Sequence, residues 1–242
     1  MLGVLKDSFL SLTFPQPCHI CSGHVERQAD GVACSACWNS TRLFHHMAML
    51  CDKCGALLGD QASPNPVFCH RCHKHYYSKA RALGIYEKAL AAAIIEMKHR
   101  PFIPFRIRAA VKEYLQDSDL LNTDILIPIP LARQRLSERG FNQAEIIARA
   151  ISGFSGIPVD AFSLRRKVHT PLHRGGMDQK ARELTVKRAF EVARPKCIEG
   201  KRLLLIDDVL TSGSTVSACA EMLLKSGAAH AAVFTLARAV FR

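Results

Sequence analysis

The sequence predicts an α/β fold: a parallel sheet with helices on both faces, preceded by a small cysteine-rich N-terminal domain. Three observations predict it. The unbroken apolar run Leu203–Ile206, bounded by polar residues, is the pattern of a strand covered on both faces. From residue 81 onward, strand patterns alternate with helical periodicity, which calls for right-handed crossovers between parallel strands. Eight of the ten cysteines form four C-x-x-C pairs, all within the first 72 residues. The expected division is therefore an N-terminal domain over 1–80 and an α/β domain over 81–242.

A chain of 242 residues that is 48% hydrophobic can bury one good core and a small satellite. Its net charge of +12 favours acidic ligands, phosphorylated metabolites or nucleic acid. The excess is uneven. Arg165, Arg166, Lys167, Arg174, Lys180, Arg182, Lys187 and Arg188 crowd one segment, against Asp178 and Glu183.

The N-terminal residues MLGVLKDSFLSLTF imitate a signal peptide, but Asp7 interrupts the run and no small-residue cleavage site follows. A short amphipathic helix is expected instead. No apolar run is long enough to span a bilayer, and a cytoplasmic location without membrane insertion is expected.

The cysteine pairs are Cys18/Cys21, Cys34/Cys37, Cys51/Cys54 and Cys69/Cys72, separated by 12, 13 and 14 residues, which is an internal repeat. A C-x-x-C turn lets two thiolates converge on one tetrahedral metal, and two such turns close a structural zinc site. Eight thiolates therefore suggest two zinc ions. Sequential pairing gives a double zinc ribbon and is favoured; interleaved pairing gives a cross-braced module. Disulfides are disfavoured without a sign of export. A redox dithiol explains one pair, not four. Cys69–His73 also fits the C-x-x-C-H haem pattern, which would leave three pairs unexplained. Among the neighbouring His19, His24, His45, His46, His70, His73 and His75, one could replace a cysteine as ligand, but surface or ligand-supporting roles are favoured. The module is too small to fold without metal.

In the second half, residues 88–98 and 106–116 carry helical patterns, separated by Pro101 and Pro104. Asp124–Ile129 reads as a strand, 142–151 as a helix, Ser152–Pro158 as a turn, and Val159–Leu164 as a second strand. The basic stretch follows, then the 203–206 strand, and Ala231–Leu236 closes the sheet. Cys197 and Cys219 have no partners at metal spacing and read as small buried hydrophobes.

After Ile206, Asp207 and Asp208 are expected at the strand's carboxyl end, where open α/β sheets bind ligands. Thr211, Ser212, Gly213, Ser214 and Thr215 follow, and Val216, Ala220, Leu223 and Leu224 then keep helical spacing. Such a loop opens a helix whose free amides, positive dipole end and neighbouring hydroxyls suit a phosphate. Carboxylates beside a phosphate cradle suit a ligand that also carries sugar hydroxyls and a divalent cation.

The run LLLIDDVLTSGST resembles the phosphoribosyl-pyrophosphate (PRPP) motif of type I phosphoribosyltransferases. The resemblance gives Asp207 and Asp208 the ribose hydroxyls, the magnesium environment and the catalytic role, and residues Thr211 to Thr215 the 5-phosphate. IPIPLARQRLSERGFNQAE resembles the corresponding block of the competence protein F family, which joins a zinc region to a phosphoribosyltransferase domain. Tyr86, Lys98 and Arg182–Phe190 fall where that family has its further motifs, although Thr185 replaces the usual asparagine. The fold so implied is a type I phosphoribosyltransferase-like sheet behind a double zinc ribbon.

Physically, the turn Pro128, Ile129 and Pro130 is placed to present amides to a diphosphate, while Arg139, Asn142 and Gln143 offer a guanidinium and amides at the same sheet edge. The basic segment 165–182, with Gly175 and Gly176, lies where type I enzymes carry a flexible hood over PRPP. Enzymes acting on 6-oxopurines place an acid at the start of the phosphate loop; here that position is Thr211, which argues against purine salvage. The expected activity is magnesium-dependent phosphoribosyl transfer to an unspecified acceptor, linked to DNA uptake. The rival is a non-catalytic module on the same fold that binds single-stranded DNA or nucleotides. The expected cofactors are two structural zinc ions, and magnesium with PRPP.

Overall fold

The computed structural model describes residues 14–44, 49–59, 65–70, 72–167 and 189–240. The N-terminal part holds helix α1 (Ser35–Asn39) and the short antiparallel pair β1 (Met49–Leu50) and β2 (Leu57–Gly59). The α/β part then runs β3 (Ala80–Ile85), α2 (Lys88–Glu96), α3 (Phe105–Gln116), β4 (Ile125–Pro128), α4 (Arg133–Arg139) and α5 (Gln143–Ser155). It continues through β5 (Leu164–Arg166), β6 (Phe190–Val192), α6 (Pro195–Ile198), β7 (Arg202–Leu210), α7 (Ser214–Lys225) and β8 (His230–Arg238).

Four strands form the expected parallel sheet in the order β3-β8-β7-β4. Alternation along β7 divides the core. Leu204 and Ile206 pack with Leu90, Ile94, Ile107 and Ile147 of α2, α3 and α5 on one face. Leu203 and Leu205 pack with Val216, Cys219 and Leu223 of α7 on the other. Helices thus cover both faces, as the continuous apolar strand requires.

The N-terminal part reaches both faces. Cys18, Cys34, Cys37 and Trp38 share the α2/α3 core, whereas Cys51, Cys54, Cys72 and Tyr77 share the α7 core. Between them the chain covers the sheet's β3 edge. Phe44 N–H donates to Leu83 O at 2.8 Å and Ile85 N–H to Arg42 O at 3.0 Å, so residues 42–44 occupy ladder groups that an edge strand would otherwise expose. The residue just before this segment caps the start of a helix. Thr41 Oγ1 accepts the Ala89 N–H at 3.2 Å, supplying a cap that Glu87 does not provide to α2.

Several elements differ from expectation. Strand β3 spans the 80/81 position and was not foreseen, because Ala-Arg-Ala-Leu-Gly-Ile has little β-branched character. The segment Val159–Leu164 is not a strand. Val159 makes an isolated parallel bridge to Leu126, and Asp160 then accepts the N–H groups of Phe162 (2.8 Å) and Ser163 (2.9 Å), closing a turn. The helix from 142 continues through Ser152 to Ser155, where Gly156 closes it at φ +73°. The strand at 203–206 extends to Leu210, so the acidic pair lies inside β7 rather than beyond it. The N-terminal helix expected over residues 1–14 lies outside the described residues except for Phe14. Residues 168–188, which include most of the basic hood segment, Gly175, Gly176 and Thr185, lie outside them as well. The two ends of that excursion are joined by the antiparallel pair β5–β6 and by a Lys167–Glu191 ion pair at 3.1 Å.

Candidate functional site

The eight cysteines gather as two sets, Cys18, Cys21, Cys34 and Cys37, and Cys51, Cys54, Cys69 and Cys72, with the sulfurs of each set within 4.8 Å of one another. The pairing is therefore sequential. Sulfurs bound at ~2.3 Å in a tetrahedron lie ~3.8 Å apart. Cys21 Sγ and Cys34 Sγ are separated by 3.7 Å, and Cys51–Cys72 and Cys54–Cys69 each by 3.5 Å, so both sets fit zinc. With four protein ligands apiece, the sites are structural.

Backbone amides support the anionic sulfurs. Burial pushes the Cys18 thiol up, but N–H groups of Cys21, Cys34 and Ile20 outweigh it and bring the group down to about 6. Cys51 is likewise brought to about 6 by the amides of Cys54 and Cys69. Cys37 moves the other way, to about 12, through burial and its sulfur neighbours. Each set thus has one thiolate held ready by amide donors before metal arrives.

The second set is fastened to the sheet. Ala80 N–H donates to Lys53 O at 2.6 Å, and Arg81 Nη1 donates to Asp52 O at 3.0 Å. Gly55 sits at φ +65°, and a Cβ there would meet Ala80 O at 2.6 Å. Only glycine permits that approach.

The phosphate-loop residues occupy one turn between β7 and α7. Thr211 and Ser212 are exposed, Gly213 is buried, and Ser214 and Thr215 are half-buried in the first turn of α7. Gly213 adopts φ +80° as the residue before the helix. Ser212 and Ser214 hydroxyls lie 3.0 Å apart, and Ser214 N–H donates to Ser212 Oγ at 3.3 Å. A 12-residue helix brings its free N–H groups and positive end here.

Asp207 and Asp208 are half-buried on β7, with Val209 and Leu210 between them and this turn. Desolvation first, and the adjacent Asp208 carboxylate second, push Asp207 well above the usual carboxylate range; Arg166 acts in the opposite sense. Asp208 N–H donates to Asp207 Oδ1 at 2.9 Å. Cys219, buried on α7, is pushed up by its own burial and by Asp207. A cation between two such carboxyl groups would offset their mutual repulsion.

The residues of the first βα connection are deployed differently. Pro128 and Pro130 carry no N–H, and Ile129 N–H donates to Ile206 O at 2.9 Å within the sheet. No amide of this triplet is exposed, contrary to expectation, because the ladder continues through it. Arg139 ends α4 and Gly140 follows at φ +80°. Asn142 caps α5: its Oδ1 accepts the Ala144 N–H at 3.1 Å while its Nδ2 donates to Ile129 O at 3.0 Å. Gln143 is buried, donates from Nε2 to Met97 O at 3.1 Å, and accepts from Arg139 Nη1 at 2.5 Å. Asn142 and Gln143 thus join the turn, Arg139 and the Met97–Lys98 bend into one hydrogen-bonded unit.

The sequence reads His75 only as one of the surface or ligand-supporting histidines and offers no role for Tyr77, yet both lie against the phosphate loop. Their rings stack at 5.0 Å between centroids. A Cβ on Gly213 would come to 3.0 Å of Tyr77 Oη and 3.2 Å of His75 Nε2. The one sequence signal was the H-K-H-Y-Y cluster directly after the last ligand pair. Among the described residues, no helix is long and apolar enough to cross a membrane.

Comparison with known proteins identifies the N-terminal module and the family. The double zinc ribbon domain family matches residues 9–77. DNA utilization protein YhgH of Salmonella typhi is 28% identical over 235 residues, covering 94% of this chain and 99% of that protein. Competence protein ComFC of Bacillus subtilis is 33% identical over 119 residues, covering 47% of this chain and 44% of that protein. A solved allosteric regulatory enzyme of purine biosynthesis overlaps 59% of this chain and 30% of its own, at 20% identity and a TM-score of 0.40, a likeness too slight to carry an argument. Competence protein F of Haemophilus influenzae is 30% identical over 231 residues, covering 92% of this chain and 96% of that protein. Carrying a double zinc ribbon ahead of a parallel α/β sheet, the chain belongs to the competence protein F family.

Proposed function

We propose that the α/β domain over 81–242 is a PRPP-binding, magnesium-dependent phosphoribosyltransferase-like domain, and that residues 1–80 are its structural zinc domain. One observation carries this reading: β7 delivers the Asp207–Asp208 pair directly into a hydroxyl-rich turn whose αL glycine opens α7. The 5-phosphate sits on the amides and hydroxyls of 211–215. Asp207 and Asp208 take the ribose hydroxyls and would hold magnesium. Magnesium, when bound there, would offset the charge of the departing diphosphate. Arg139, fixed by Gln143, faces that diphosphate.

The reaction so proposed breaks the bond between the anomeric carbon and the diphosphate oxygen. An acceptor nucleophile forms the new bond through an oxocarbenium-like state. The carboxyl groups of Asp207 and Asp208 are placed to face the positive charge that develops on the ribose ring. Thr211 occupies the position that holds an acid in 6-oxopurine enzymes, so the acceptor belongs to another class. Reduced zinc-bound thiolates fit a cytoplasmic setting.

The relatives' names, DNA utilization protein and competence protein, favour a second reading in which the same pocket and the net charge of +12 serve single-stranded DNA. Calorimetry with PRPP and Mg²⁺, on wild type and on the Asp207→Asn/Asp208→Asn double variant, separates the two. Binding by wild type that the double variant loses supports the transferase reading. An absence of heat with wild type, together with single-stranded DNA binding that survives the double substitution, overturns it.

A further inference from the structure

The N-terminal ribbons are not equivalent in their distance from the phosphate loop. The first packs on the α2/α3 face and meets the α/β domain through contacts such as Arg106 Nε to Asp30 Oδ2 at 2.8 Å. The second packs on the α7 face, and the chain that leaves it passes directly behind the loop. His75 N–H donates to Cys72 O at 3.1 Å, so the ring begins one turn from a metal ligand. Tyr76 N–H then donates to Ser217 Oγ at 3.2 Å in the first turns of α7. Tyr77 is 1% exposed and stacks on His75. Three consecutive residues therefore touch the turn and the helix start that it opens.

The contact at Gly213 is what gives this packing a consequence. The residue stands at φ +80°, a conformation in which the loop is reversed to aim successive amides at one point. His75 and Tyr77 fill the space behind it so closely that a methyl group there would meet both rings. On the other side of the same contact, His75 shares a cleft of about 1380 Å³ with Thr211, Ser212 and Ser214. Cys54, Cys69 and Cys72 of the second cysteine set also line this cleft.

We propose that His75 and Tyr77 are positioning residues for the phosphate loop, so that the loop's anion-binding geometry depends on metal in the Cys51/Cys54/Cys69/Cys72 site and not on metal in the Cys18/Cys21/Cys34/Cys37 site. The proposal rests on the reading of 211–215 as a phosphate cradle, but its structural half can be tested without a ligand. When the second site is intact, the ring stack keeps Gly213 in its αL state and the cradle is preformed. When that site is lost, the ring stack loses its anchor at Cys72, the turn samples other conformations, and bound phosphate must restore the order at a cost in affinity. The second ribbon thereby becomes a working part of the site, whereas the first is a clasp on the far face of the sheet.

The test uses the full-length protein with hydrogen–deuterium exchange over 211–217 and calorimetry with PRPP and Mg²⁺. His75→Ala and Tyr77→Leu should each speed exchange in that segment and weaken binding about ten-fold or more, a loss typical of an ordering penalty, while both zinc ions are retained. His75→Phe keeps an aromatic ring on Tyr77 and should restore both readouts. Cys69→Ser should reproduce the fast exchange, and Cys21→Ser should not. Unchanged exchange over 211–217 in His75→Ala and Tyr77→Leu overturns the proposal whatever the ligand does. Faster exchange in these variants, with no PRPP binding by wild type, supports the brace and instead overturns the PRPP reading.

Discussion

Arg238, the last residue of β8, donates from Nη1 to the Cys54 carbonyl oxygen at 2.5 Å and brings Nη2 to 3.7 Å from Cys54 Sγ, across 184 positions of sequence. A guanidinium beside a metal-binding sulfur offsets thiolate charge and fixes the knuckle's orientation. The pull on Cys54 is downward, against the burial that raises its thiol to about 11.

Replacing Arg238 by alanine should therefore loosen metal at the second site alone. Loss of such a supporting partner typically costs ~10–100-fold in metal affinity. Chelator competition with two-step release should show the second ion leaving early and the first unchanged. Equal retention of both ions would mean that Arg238 only packs.

Gly84 makes a different prediction, about the sheet edge. A Cβ there would meet Arg42 O at 2.6 Å and Leu43 Cα at 3.1 Å, both belonging to the segment that covers β3. Gly84→Ala must push that cover away, exposing ladder groups of an edge strand. The expected result is self-association, seen as a concentration-dependent shift in light scattering, with a stability loss of ~1–3 kcal/mol from overpacking. A monodisperse variant with wild-type stability would show that 42–44 can move without consequence.

How far the sequence revealed this architecture depends on the kind of signal. The zinc sets and the β7–loop–α7 unit were legible because their determinants are local: fixed C-x-x-C spacing, an apolar run, small hydroxyl residues around one glycine. β3 was not, since its identity as a strand comes from pairing with β8 and from the cover at Leu43, not from β-propensity. Val159–Leu164 misled because apolar residues flank Asp160, whose side chain closes a turn instead. The placement of His75 behind Gly213 was invisible, because the two are far apart in sequence and meet only through the docking of the second ribbon. Gln143 was legible as a polar group near the site but not as a buried one.

That burial separates two roles for Gln143. As a positioning residue it holds Arg139 while satisfying Met97 O. Gln143→Leu leaves the Met97 carbonyl without this donor and should cost ~1–3 kcal/mol of stability in urea unfolding. Diphosphate affinity should fall in parallel, as Arg139 loses its partner. Weakened affinity at unchanged stability would instead mark Gln143 as a direct ligand contact.

Asp207 offers the sharpest test, because stability and binding should move in opposite directions. Its carboxyl is pushed up by desolvation and by Asp208, so the folded state resists ionising it more than the unfolded chain does. Below about pH 4, where the group is protonated in both states, the shift costs nothing. As pH rises past the unfolded value the penalty grows, and it is complete once the folded group also ionises. Asp207→Asn removes it. The variant's urea midpoint should match wild type in acid and exceed it increasingly as pH rises above the ordinary carboxylate range. Its affinity for PRPP with Mg²⁺ should drop ~10–100-fold, the worth of a charge-assisted contact of ~1.5–3 kcal/mol. A variant less stable than wild type near neutrality would show that the carboxylate pair is held by attraction in the folded protein. The strain that a bound cation is expected to relieve would then be absent.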